Sequence, residues 1–99
     1  MNNLKYEFKP LYLLSDGWPF WEQPDGTLCD APNPADQDLG WDSLDQLYGM
    51  DGDAVRGSVS DHVRFAEMRT DGIFPWNYNN PDDLAADLEL ITWYRGNPS

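Results

Sequence analysis

The chain has 99 residues, which is the length of one domain, and a net charge of −12 at pH 7. This charge argues against direct binding of nucleic acid, because such affinity comes from Lys and Arg that replace counterions on phosphates. A single cysteine excludes an intrachain disulfide, and no apolar run reaches the roughly 18 residues of a membrane span, so we expect a cytoplasmic protein with no membrane partner.

The first third of the chain is predicted to form a small antiparallel sheet. Side chains of one parity predict a strand over residues 5–14, and a second short strand follows at residues 18–22. A strong turn signal at residues 24–26 leads into a third strand at residues 27–29. Residues 30–40 contain two Pro and three Asp and are predicted to be a loop.

Helices are predicted in the rest of the chain. A short one covers residues 41–48. A second is expected over residues 59–71, because Ser58 is a suitable N-cap and Asp61 stands three residues later, as in a capping box. A third begins at Pro81, since proline is favoured at the first helical position.

A core rich in aromatic residues is expected to compensate for the modest aliphatic content. The chain has five Trp and five Tyr, each of which buries a large area. Residues 73–78 are predicted to be extended and to pack into this core. The whole chain, residues 1–99, is thus predicted to be one α+β domain with a small antiparallel sheet and two or three helices. The helical residues expected to face the core are Val59, Val63 and Ala66 on the second helix and Leu84, Leu88 and Ile91 on the third.

The acidic residues are concentrated in one part of the chain. Residues 10–55, the acidic segment, carry ten Asp or Glu and no Lys, Arg or His, whereas the flanks hold eight acids and six bases. Unpaired carboxylates are costly to bury, so we expect these ten to stay in solvent and form a surface of one sign. The candidate partner-binding residues are Asp30, Asp36, Asp38, Asp42, Asp45, Asp51 and Asp53.

Signals for catalysis, cofactors and metals are weak. His62 is the one histidine, and a lone helical histidine is most often structural. The Asp51-Gly52-Asp53 turn resembles the start of a calcium loop, but Val55 stands where the third acidic ligand belongs and Arg56 where the glycine belongs. Asp82 and Asp83 fit the first turn of a helix, where the macrodipole stabilises carboxylates. We therefore expect no enzyme, no cofactor and no metal.

In size, acidity and lack of catalytic residues the chain resembles the small phage-encoded inhibitors of bacterial defence, including anti-CRISPR and other DNA-mimic proteins. This resemblance is one of composition over the whole chain and includes no motif, so it assigns a role to no residue. It implies a protein of the bacterial host cytoplasm that blocks a target-DNA-binding or PAM-binding surface on a Cas complex by occupying its basic residues.

The expected function is non-enzymatic inhibition of a basic nucleic-acid-binding protein by an acidic surface that imitates the phosphate backbone. Two alternatives use the same charges. An immunity protein or antitoxin would neutralise a basic toxin that need not bind DNA. A salt-adapted accessory protein would have no such target, since high Asp with few Lys is also typical of proteins adapted to high salt.

Overall fold

The computed structural model describes residues 6–36, 38–72, 78 and 80–96, and these form an α+β fold with three α-helices and a five-stranded antiparallel sheet. A short 3-10 helix follows the third strand. The strands are β1 (Leu11–Leu13), β2 (Pro19–Glu22), β3 (Leu28–Cys29), β4 (Gly40–Trp41) and β5 (Val55–Arg56). The helices are α1 (Leu44–Met50), α2 (Val59–Thr70) and α3 (Pro81–Gly96), and the 3-10 helix is Pro34–Asp36.

The sheet separates α1 from α2. Its strand order is β4-β3-β2-β1-β5, so α1 connects the two edge strands across one face. Tyr12 lies opposite Phe20 and Leu11 lies opposite Trp21, and successive side chains point to opposite faces. Phe20 therefore packs with Leu47 of α1. Trp21 packs on the other face with Phe65 of α2, and α3 packs against α2.

The local signals at the helix ends are confirmed. The backbone amide of Ser58 donates to Asp61 Oδ2 at 2.8 Å, and Ser58 is the N-cap of α2. Gly72 follows its end with a φ of +72°, a backbone conformation that favours glycine. Asn80 Oδ1 accepts from the amide of Asp82 at 3.0 Å, which caps α3 just before Pro81.

The strand and helix boundaries differ from the prediction in three places. In the described part of residues 5–14, only Leu11–Leu13 is strand. Trp41 begins no helix but belongs to edge strand β4 together with Gly40, and α1 starts at Leu44. Strand β5 was not predicted, because a strand of two residues has no periodicity and is defined by its pairing with β1.

The predicted apolar stripe of α2 is right except at its start. Val63 and Ala66 are buried, but Val59 is 44% exposed because it is the first residue of the helix. The buried face also includes His62 and Phe65, which contact the sheet side of the core.

The predicted apolar face of α3 is wrong for two of its three residues. Leu84 and Leu88 are exposed, whereas Asp87 and Leu90 are buried beside Ile91. Asp87 forms a buried ion pair with Arg69 of α2, and this pair orients α3. The prediction for residues 73–78 lies outside the described residues except at Tyr78.

Candidate partner-binding surface

The structure divides the seven candidate partner-binding residues into a surface group and a buried group. Their partner contacts are untested, but their exposure is described. Asp30 and Asp36 are buried, and Asp51 is half-buried. Asp38, Asp42, Asp45 and Asp53 are exposed. We name the acidic surface for the five that solvent reaches: Asp38, Asp42, Asp45, Asp51 and Asp53.

Helix α1 and the strand before it determine where these carboxylates lie. Asp38 and Asp42 flank β4, and Asp45 lies in the first turn of α1. Asp51 is the C-cap of the same helix, and Asp53 follows in the next turn. A helix of seven residues is about 10 Å long, so the two ends of α1 hold carboxylates roughly that far apart.

Hydrogen bonds order both ends of the acidic surface. Before α1, the amide of Asp42 donates to Gln46 Oε1 at 2.9 Å, and Ser43 Oγ accepts from the amide of Gln46 at 3.3 Å. After α1, Asp51 Oδ2 accepts from both the amide and the hydroxyl of Ser15 at 2.8 Å. These bonds to Ser15 hold the pKa of Asp51 below its usual range, so its charge persists into mild acid.

Within the described part of the chain, none of the five carboxylates of the acidic surface takes part in an ion pair. Four of the five described Lys and Arg residues pair with acids outside the acidic segment instead, and the fifth is Arg56. These ion pairs are Lys9–Glu7 at 3.8 Å, Arg64–Asp61 at 3.2 Å, Arg69–Asp87 at 2.8 Å and Arg95–Glu67 at 2.9 Å. The α1 side of the sheet therefore keeps most of its negative charge.

Arg56 on β5 marks one limit of the acidic surface. Its guanidinium carbon lies 5.7 Å from the centroid of the Tyr12 ring, and the Tyr48 ring of α1 lies 6.3 Å from the same ring. The β5 edge thus carries a positive charge and aromatic groups beside α1. The acidic surface extends from there toward β4.

Apolar side chains are also exposed among these carboxylates. Tyr48 is 40% exposed and Met50, the last residue of α1, is 51% exposed. Leu39, between Asp38 and β4, is 52% exposed. Large apolar groups within a charged surface are typical of protein interfaces, where aromatic residues and Met are enriched.

The expectation that all ten carboxylates of the acidic segment stay in solvent is wrong for Asp30. This side chain is fully buried, and burial raises its pKa. Its Oδ1 accepts from the amide of Asp38 at 2.7 Å. Hydrogen bonds from backbone amides replace the water that an exposed carboxylate would bind, which allows Asp30 to be buried. The hydrogen bond to the amide of Asp38 also fixes the position of that residue.

Asp36 is the second exception. It is 7% exposed and contacts Asp83 at the start of α3. Burial and the Asp36 carboxyl raise the pKa of Asp83 to about 6, while Asn33 Nδ2 donates to Asp83 Oδ2 at 2.8 Å. Two carboxyls can share such a site when one of them holds a proton. Both Asp30 and Asp36 are buried, so they are not part of the acidic surface.

A cavity of about 330 Å³ beside this pair contains groups that the sequence did not identify. Arg69 donates from Nε and Nη2 to the two oxygens of Asp87, both at 2.8 Å. The Tyr78 hydroxyl donates to Asp87 Oδ2 at 2.6 Å, and burial raises the pKa of Tyr78. This network joins α2 to α3. Because its members are distant in sequence, no local pattern could reveal it.

No family model, no curated protein and no solved structure matches the chain. Among the described residues, no three or more His, Cys, Asp or Glu are grouped so as to hold a metal ion. The described helices include none with the length and apolar character to cross a bilayer.

Proposed function

We propose that the chain is a non-enzymatic inhibitor whose acidic surface occupies the basic nucleic-acid site of another protein. The observation that carries this proposal is the separation of charge. Asp38, Asp42, Asp45, Asp51 and Asp53 surround α1 without an ion pair in the described part of the chain, while the neighbouring layer of α2 and α3 pairs its bases internally.

The physical basis is the free energy of unpaired like charge. Carboxylates at both ends of a short helix repel one another, and the fold bears this cost. A groove lined with Lys and Arg removes the repulsion, and its field accelerates the encounter. Nucleic-acid sites present such cations because they must neutralise closely spaced phosphates. The acidic surface would therefore compete with DNA or RNA for the same basic residues.

Exposed Tyr48 and Met50 support a protein as the target. Charge alone gives encounter rate and orientation more than affinity, whereas aromatic side chains that enter a pocket often dominate the binding energy. Salt adaptation would account for the carboxylates but gives no reason for large apolar groups among them. On the resemblance to anti-CRISPR proteins, the target would be the target-DNA-binding or PAM-binding surface of a Cas complex, which uses arginines to contact DNA.

The test compares two double variants with the same change in net charge. Asp42→Lys with Asp45→Lys reverses the charge of two residues of the acidic surface. Asp71→Lys with Asp82→Lys reverses the charge of two exposed acids in the α2 and α3 layer. Each pair includes one acid from the first turn of a helix, Asp45 in α1 and Asp82 in α3, so both bear a similar helix-dipole cost.

Each immobilised protein is exposed to a nuclease-treated bacterial lysate, and captured protein is eluted with duplex DNA. We expect the wild-type chain and the Asp71/Asp82 variant to retain a nucleic-acid-binding protein that DNA releases. The Asp42/Asp45 variant should bind it at least about tenfold more weakly, because two contacts become repulsive. Capture that DNA cannot release would favour a basic toxin as the partner. Equal capture by both variants would contradict the proposal.

A further inference from the structure

A groove runs along β4 at the edge of the sheet. It has a volume of about 800 Å³ and lies between the β2–β3 turn and the loop that precedes β4. Trp41 contributes a half-buried ring to it. Three exposed carboxylates line it, those of Asp25, Asp38 and Asp42. The groove is thus acidic, partly aromatic and bordered by exposed backbone.

At Gly40 the backbone of β4 is oriented to pair with a further strand, whereas the amides of Asp38 and Asp42 already donate to Asp30 and Gln46. The amide of Asp30 donates to the carbonyl of Leu39 at 3.1 Å, which makes these two residues a hydrogen-bonded pair. Such pairs alternate along an antiparallel ladder, so Gly40, which lies opposite Cys29, directs its N–H and C=O away from β3. Gly40 is exposed and has no side chain to obstruct an approaching chain. Unpaired N–H and C=O groups at a sheet edge can pair with an added strand, and Gly40 offers one of each.

The carboxylates of the groove are available to cations. None of the three takes part in an ion pair within the described residues. Asp25 Oδ1 accepts from the hydroxyl of Thr27 at 2.7 Å and from its amide at 3.1 Å. These bonds lower the pKa of Asp25, so the carboxylate remains ionised in mild acid. Extended chain places alternate side chains on the same side about 6–7 Å apart, a spacing that lets successive Lys or Arg reach separate carboxylates.

We propose that this groove binds an extended basic segment of the partner, which pairs with β4 as an added strand and directs Lys or Arg toward Asp25, Asp38 and Asp42. The inference rests on the proposed function and specifies what the partner presents there. Proteins that bind nucleic acid often use basic arms that fold on binding. A second copy of this chain does not fit, because pairing two β4 strands would bring like charges together in a protein of net charge −12.

The probe is a labelled eight-residue peptide of alternating Lys and Thr. Two further peptides carry the same sequence with backbone N-methyl groups on the Lys residues alone or on the Thr residues alone. In an added strand only alternate N–H groups face β4, so one methylated peptide loses its hydrogen bonds and the other retains them. Charge and amino-acid sequence are the same in all three peptides. Fluorescence anisotropy measures their affinities for the wild-type chain.

We expect one methylated peptide to bind about tenfold more weakly than the unmodified peptide and the other to bind nearly as well. Amide NMR shifts should change at Gly40, Trp41 and Thr27. Asp25→Asn with Asp42→Asn should weaken binding, whereas Asp71→Asn with Asp82→Asn should not. The substitutions to Asn preserve side-chain size and hydrogen bonding in the turn, so folding is not at issue.

Four results would overturn the inference. Equal binding of all three peptides would mean attraction by charge alone, and NMR shift changes spread over the whole acidic surface would mean that the groove has no special role.

If the peptides fail to bind but DNA still releases a captured partner, the proposed function stands and the strand-addition model falls. If the peptides bind as expected but no DNA-released partner is captured, the groove is supported and the proposed function fails. Formation of a dimer blocked by the peptide would identify a second copy as the occupant and also refute the model.

Discussion

His62 shows how one buried side chain connects three parts of this protein. It is 5% exposed on α2, and its Nδ1 lies 2.8 Å from the Tyr6 hydroxyl and 3.3 Å from Trp21 Nε1. An indole N–H can only donate, so Nδ1 must accept, and the neutral ring then carries its proton on Nε2. Burial, followed by the charge of Arg69, lowers the pKa of His62 to about 4. The histidine is thus structural, as expected for a lone helical one.

This histidine predicts a loss of stability in mild acid. The unfolded chain binds a proton at His62 below its ordinary pKa of 6.5, whereas the folded chain resists protonation until about pH 4. The stabilisation is therefore complete above pH 6.5 and declines as the pH falls toward 4, by about 2–3 kcal/mol in all. Urea unfolding of the wild-type chain and of His62→Gln should show a difference in free energy that narrows from pH 7 to pH 4.5.

The carboxylates titrate in both proteins, so the difference between them isolates the histidine. A gap between the wild-type chain and His62→Gln that stays constant over this pH range would show that His62 is protonated normally in the fold.

At the scale of elements, α1 is the part of the fold on which the acidic surface depends. It has only seven residues and contains Gly49. Glycine within a helix lowers the free energy of unfolding, because its backbone loses more conformational entropy on folding than that of any other residue. A Cβ at Gly49 would meet no atom within 4 Å, so alanine fits there. We predict that Gly49→Ala stabilises the protein by about 0.5–1 kcal/mol in urea unfolding. Capture of the partner should be unchanged or stronger.

Gly57 provides the matched control for this substitution. A Cβ there would lie 2.8 Å from Leu11 Cδ2 and 2.9 Å from its Cγ, and Leu11 is fully buried. Gly57→Ala should therefore destabilise the fold, by about 1–3 kcal/mol. If both alanines changed stability in the same direction, the explanation by local space and helix propensity would fail.

The whole molecule separates its charges into two layers. The three arginines of α2 and α3 pair with acids of their own layer, which also exposes Asp71 and Asp82. The five acids around α1, on the opposite face of the sheet, form no ion pair among the described residues, and Arg56 is the described base beside them. The carboxylates of the acidic surface repel one another over distances of a few ångströms to about 10 Å, and added salt weakens repulsion over this range. The buried core on both faces of the sheet, with Phe20 and Trp21 at its centre, does not depend on salt in this way.

This arrangement predicts a protein that is folded at low salt. Raising NaCl from about 20 mM to about 1 M should increase Tm by a few degrees, because screening weakens the repulsion. The same increase in salt should weaken capture of the partner, because binding uses the same charges. Thermal unfolding followed by circular dichroism measures the first effect. A chain that is unfolded at 20 mM NaCl and folds only in molar salt would instead support salt adaptation.

Much of the fold could be predicted because its signals are local. Turn residues and alternating apolar residues indicated β1 to β3, and the Ser58–Asp61 capping box together with Pro81 indicated where α2 and α3 begin. The location of unpaired negative charge near α1 followed from the acidic segment. The two short edge strands could not be predicted, because each consists of two residues held by a neighbouring strand.

The amino-acid sequence by itself determined the α+β class, the starts of α2 and α3 and the concentration of acids in residues 10–55, since composition and short-range patterns carry this information. Only the tertiary structure decided which acids face solvent. Asp30 and Asp36 turned inward because distant groups, the amide of Asp38 and the carboxyl of Asp83, supplied what water would otherwise provide. The tertiary structure also left Leu84 and Leu88 exposed, because the ion pair between Asp87 and Arg69 turns the opposite side of α3 toward α2. The burial of a polar group depends on its partners, and those partners are chosen by the fold.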